Sequence, residues 1–231
     1  MTAPIHFRAG EIWGLPIMKF TLTFEGCLPP SANKSKAETV WSIRQHFHPQ
    51  LIDLWESHPT LLGVLEQRMF PLGPGTILLT GGHHSKGVRR TIAAGTSGGQ
   101  KIDLCAAIEK HGVQFLPLVR ETFALHCGLK ITFLRKEAPG RVYQGGDLDG
   151  RIKTLVDALA MPQHKEQVFK TDATPAPIYC LLEDDAMVSG LEVQSERLLT
   201  DQNHPKDYVR LMIEVDVRVR EARAYNLPFL G

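Results

Sequence analysis

YVRLMIEVDVRV, residues 208–219, alternates from end to end. Val209, Leu211, Ile213, Val215, Val217 and Val219 take every second position, and Arg210, Glu214, Asp216 and Arg218 stand between them. A period of two puts the first set on one face of a pleated strand, so this stretch is expected to be half-buried, with a core on one side and water on the other.

The same alternation recurs elsewhere. In MKFTLTFE (18–25), Met18, Phe20, Leu22 and Phe24 share a face opposite Lys19, Thr21, Thr23 and Glu25. LKITFL (129–134), IYCLL (178–182) and VSGLEVQSERLL (188–199) also read as strands, and 112–119 reads as extended. Two short strands are expected at 76–79 and around 88–93, in a glycine-punctuated stretch. Helical spacing appears at 36–47, through Val40, Ile43 and Phe47. Pro49 should end that helix or begin another over 50–56, with a further run at 60–67. A short helix is expected over 103–110, and another from Gly150 to Leu159. Residues 163–177 read as a surface loop. Long alternating strands with a few helices point to an α+β domain, a mixed and mostly antiparallel sheet with helices packed on one face.

With 231 residues and 43% hydrophobic content, the chain can bury one large core. Its apolar runs are too short to span a bilayer, so no membrane partner is expected. The start, MTAPIHFRAGEIWG, lacks a charged head followed by an apolar stretch, and no secretory signal is read there. Cys27, Cys105, Cys127 and Cys180 are far apart and form no CxxC, which fits reduced thiols, a cytoplasmic location and no zinc site. Net charge is only +1, but no acid occurs between Glu66 and Asp103. That window carries Lys86, Arg89 and Arg90, the expected contacts to nucleic-acid phosphates.

Chemistry concentrates in GGDLDGRIKTLVDAL, residues 145–159. Ile152, Leu155, Val156 and Leu159 form a helical stripe, and Asp149 stands where an N-cap would. Lys153 lies four residues on, on the same side as Asp149. Asp147, in an extended lead-in, would point the same way. Two carboxylates and an ammonium would then converge, and carboxylates so placed call for a shared proton or a cation. Mg²⁺ or Mn²⁺ suits oxygen ligands of this kind. Glu183, Asp184 and Asp185, which follow a buried strand, are the candidates to complete the site. Structural roles exist for three of these residues as well, Asp149 as a cap, Lys153 as partner of Asp157 and Asp184 as a turn residue, but they leave Asp147 unexplained. An EF-hand register fails, because it puts Gly145 and Val156 at ligand positions.

LPPSAN (28–33), LKITFL, GDLDGRIKTLVDAL, LEDDAMV (182–188) and VRLMIEVDV follow one another in an order that resembles the RusA family of Holliday-junction resolvases. The block from 146 to 188 carries most of the resemblance. It implies a RusA-like fold, a homodimer, and Mg²⁺- or Mn²⁺-dependent endonuclease activity on branched DNA. Asp147, Asp149 and Asp185 match the family's metal-binding acids, and Lys153 matches its lysine beside the scissile phosphate. Gly150 stands where the family usually has Asn, and the lead-in YQGG lacks the family's basic residues. The chain is longer than the family pattern, with insertions at about 34–110 and 163–177. A non-catalytic nucleic-acid-binding or assembly subunit of the same fold is the alternative expectation.

Overall fold

The computed structural model describes residues 14–29, 36–71, 77–80, 90–93, 101–136, 147–169, 174–200, 203–205, 207–222 and 224–230. In chain order the elements are β1 (Leu15–Cys27), α1 (Lys36–Ser57), α2 (Pro59–Glu66), β2 (Met69–Pro71), β3 (Ile77–Thr80), β4 (Arg90–Ala93), β5 (Lys101–Asp103), β6 (Ile108–Lys110) and β7 (Val113–Val119). Then come β8 (Leu125–Arg135), α3 (Asp147–Leu159), β9 (Ile178–Leu182), β10 (Val188–Arg197) and β11 (Tyr208–Val219). Short 3₁₀ turns occupy Lys165–Gln167, Asp185–Met187 and Ala224–Phe229. The fold is mixed α+β with mostly antiparallel pairing. No helix among the described residues is long and apolar enough to cross a membrane.

The main sheet has the order β1-β11-β8-β10. β11 runs antiparallel to both neighbours, and β10 runs parallel to β8. Register explains the alternation in sequence. Leu22, Ile213, Ile131 and Val193 lie in one row across all four strands, and every one is buried. The adjacent row is Thr21, Glu214, Lys130 and Glu192, on the opposite face, where Lys130 pairs with Glu214 at 3.4 Å. A slip of one residue would exchange these rows, placing charges in the core, so the register is strongly specified.

A second sheet has the order β6-β7-β9, with β7 antiparallel to β6 and parallel to β9. Two small antiparallel pairs, β2 with β5 and β3 with β4, complete the strands.

Helix α1 joins the two sheets. Among its buried residues, Val40, Ile43, Phe47, Leu51 and Trp55 recur every three or four positions, with Trp41 and Arg44 beside them. From the same helix, Gln50 reaches the edge strand β1: its Oε1 accepts from the Thr23 amide at 2.9 Å and its Nε2 donates to the Thr23 carbonyl at 2.8 Å. His48 reaches β9, the edge of the second sheet, where Nδ1 accepts from the Tyr179 amide at 3.0 Å. Burial lowers the His48 pKa, which keeps the ring a neutral acceptor. Each side chain thus takes backbone groups that an edge strand would otherwise leave open.

Two local expectations are corrected. Pro49 does not end the first helix, which runs from Lys36 to Ser57 with the proline inside it. The buried stripe continues past it through Leu51 and Trp55, and both Gln45 and Pro49 sit on the exposed side. Packing there outweighs the one lost backbone bond. Residues 103–110 are not a helix; β5 ends in a turn at Leu104–Cys105 and β6 follows. Asp103 directs this. Its Oδ1 accepts from the Cys105 amide at 2.9 Å, and its two oxygens pair with Arg68 at 2.7 and 2.8 Å. A short acidic side chain that bonds its own backbone two residues on favours a turn over a helix.

Candidate metal centre

The helix carrying the DLD motif begins at Asp147. This corrects two expectations, an extended lead-in at Asp147 and an N-cap role for Asp149, which is the third helical residue. The reason lies in Leu148. It is buried and stands three residues before buried Arg151 and seven before buried Leu155, so the inward stripe starts four residues earlier than the Ile152–Leu159 pattern suggests. Arg151, fully enclosed, pairs with Asp207 at 3.0 Å and ties the helix to the residue ahead of β11. Thr154 Oγ1 donates to the Gly150 carbonyl at 3.0 Å within the helix.

Asp149 and Lys153 are exposed and Asp157 is half-buried. At positions i, i+4 and i+8 they form one stripe along α3. The side chain of Asp147 lies outside the described residues.

The second half of the site follows β9. The Glu183 amide donates to the Val119 carbonyl at 3.0 Å, and the chain turns at once. Asp184 is buried and caps the turn, its Oδ1 accepting from the Ala186 amide at 2.9 Å. That is the turn role its sequence position allowed. Asp185 begins the 3₁₀ turn and is exposed. Glu183 Oε2 accepts from the Glu121 amide at 3.0 Å, and burial pushes the carboxyl up against that bond and the nearby Arg120 charge.

Folding brings α3 and this turn together. The Met161 amide, just past α3, donates to the Leu182 carbonyl at 3.0 Å, and Ala160 bridges to Leu182 in parallel fashion. α3 also contacts the Asp185–Met187 turn directly. The electrostatics report the meeting. The Asp185 carboxyl is held above the ordinary aspartate value by burial first, then by a hydrogen bond to the Asp184 carboxyl and by the charges of Asp184 and Asp157; the Ala186 amide opposes this. The charges of Asp184 and Asp157 thus both act on Asp185 at the end of β9.

Two residues of this neighbourhood carry no site signal in the sequence. Asp157 reads there as a partner for Lys153, because helical spacing fits that pairing equally well. Lys110 lies in a stretch read as helix. Its Nζ donates to Gln163 Oε1 at 2.7 Å; burial lowers its pKa, and the charges of Asp184 and Glu183 partly restore it.

The donor set is all oxygen, which suits a hard divalent cation rather than zinc. Among the described residues, no three His, Cys, Asp or Glu groups stand at metal-ligating spacing. The cysteines take no part: Cys105, Cys127 and Cys180 are buried, and burial pushes the thiols of Cys127 and Cys180 up to about 12. The expected phosphate contacts Lys86 and Arg89 lie outside the described residues, and Arg90 opens β4 with its side chain outside them. Of the same acid-free window, Arg68 is committed to Asp103. The chain matches no family model, and no curated protein or solved structure matches it at a significant level.

Proposed function

We propose that this chain is a metal-dependent endonuclease of RusA-like fold acting on branched or structured DNA. The observation that supports it most is the meeting of α3 with the Glu183–Asp185 turn, where Asp185 still reaches solvent while partial burial first, then Asp184 and Asp157, hold its carboxyl up. An exposed carboxyl destabilised by its neighbours is relieved by a cation. Asp147, Asp149 and Asp185 would hold Mg²⁺ or Mn²⁺. When bound, such an ion neutralises phosphate charge and lowers the pKa of water. The chain's own contribution is placement. Lys153, exposed one turn beyond Asp149, would meet the charge that develops on the phosphate. Asp184, fixed by its bond to Ala186, orients the turn. A homodimer would present two such sites to the arms of a junction.

A specific observation favours a second reading, a DNA-binding or assembly subunit that keeps the fold without cutting. Asp184 and Glu183 both spend an oxygen on backbone amides, as purely structural acids do.

Cleavage of four-way junctions, flaps, linear duplex and RNA with Mn²⁺ or Mg²⁺ decides between them. The proposal expects cutting by the wild type, reduced at least about 100-fold in Asp149→Asn and in Asp147→Asn. Asp149 is exposed, so its variant should stay within about 0.5 kcal/mol of wild-type stability. Equal rates in wild type and variants would refute the assignment. No cutting, with salt-sensitive DNA binding retained, would establish the second reading.

A further inference from the structure

Arg44 and Arg151 are the largest fully buried side chains among the described residues; Arg44, 1% exposed, lies midway along α1. Its Nη2 donates to the Asp157 carbonyl at 2.8 Å and its Nε to the Ala160 carbonyl at 2.9 Å, across more than a hundred residues of sequence. These carbonyls belong to the last turn of α3 and the residue beyond it, where a helix has acceptors without partners of its own. No glycine follows to cap them; a guanidinium does so instead, with its charge at the negative end of the helix dipole. It also sits over the Trp41 ring, 5.6 Å from the centroid. Burial brings its pKa down to about 10, partly offset by Cys180 and Asp157, so it remains a cation at neutral pH.

The position of this clamp matters. Ala160, which carries one of the clamped carbonyls, and Met161 just past it are the residues joined to Leu182, and Leu182 is followed at once by the acids. Arg44 therefore fixes, from behind, the junction at which α3 and the acidic turn meet.

We propose that Arg44 is a positioning residue that sets the α3 carboxylates against the Glu183–Asp185 turn, so that the two acidic segments form one cation site. This rests on the metal-dependent reading above. A planar fork is needed to reach two carbonyls at once, and a lysine can reach only one of them while keeping the charge.

The test is Mn²⁺ titration of the full chain followed by electron paramagnetic resonance, on wild type, Arg44→Lys and Arg44→Met, with circular dichroism confirming that each is folded. Amide exchange at Met161 is followed on the same proteins. If Arg44 positions the site, Arg44→Met weakens Mn²⁺ binding about 10- to 100-fold, as loss of an orienting partner does, and Arg44→Lys falls between. Met161 exchange accelerates in both. A folded variant that binds Mn²⁺ as tightly as the wild type overturns the proposal. If Arg44→Met does not fold, Arg44→Lys alone decides by the same comparison. A wild type that binds no Mn²⁺ removes the metal reading itself. The clamp is then judged on Met161 exchange, where unchanged rates in Arg44→Lys refute it.

Discussion

Asp185 carries the opposing demands of the site in one side chain. Its carboxyl is raised by burial and by Asp184 and Asp157, so the folded protein holds a proton there more firmly than the unfolded chain does. Stability must then fall as pH rises through the interval between the ordinary aspartate value and the raised one, because the native state binds more protons in that interval. In EDTA at pH 7, Asp185→Asn should melt at a higher temperature than wild type. The gap should close below about pH 3.9, where both states are protonated. With millimolar Mn²⁺ the order should reverse, since only the wild type gains from the ion. Differential scanning calorimetry across pH, with and without Mn²⁺, reads all three effects. A variant no more stable than wild type in EDTA would mean that the neighbouring acids impose no cost on Asp185. Little of this was legible beforehand. Asp147, Asp149, Asp184 and Asp185 stood out as local runs of acid, whereas Asp157 and Arg44 did not. Arg44 acts through a contact spanning 113 residues and Asp157 through its charge on Asp185 across the fold, and nothing in the residues beside either one signals it.

At the scale of elements, strands were legible and helix ends were not. β11 has the bounds that its alternation predicts, Tyr208–Val219, because one face is buried along its whole length. α1 runs through a residue that normally stops a helix, since Leu51 and Trp55 keep their place in the core. The residues on either side of that proline reach the two sheet edges, His48 to Tyr179 and Gln50 to Thr23. Replacing Pro49 by alanine restores an amide that can bond the Gln45 carbonyl, at some loss of rigidity in the unfolded chain. The expected net gain is about 2 kcal/mol, or about 4–8 °C in melting temperature, by urea or thermal unfolding. A loss of stability instead would show that the geometry imposed by the proline is what aims His48 and Gln50 at their strands. The turn at Asp103 was missed for the opposite reason. There a local side-chain bond prevails over a weak helical pattern, and only the partner Arg68, 35 residues away, makes the outcome plain.

In the whole molecule, topology decides which segments meet. Between β8 and β10, which lie parallel, the chain runs through α3 and β9, and this connection delivers the helix and the acidic turn to the same place. Asp149 and Asp157 stand eight residues apart, about 12 Å along the helix axis. Asp157 is the α3 acid whose charge acts on Asp185. A single site requires that Asp149 nevertheless share an ion with Asp185. A double-mutant cycle on Mn²⁺ affinity, using Asp149→Asn, Asp185→Asn and the combined variant, tests this most directly. A shared ion predicts that each single change weakens binding severely and that the second adds little to the first. Losses that simply add would place the two carboxylates at separate sites and contradict the account.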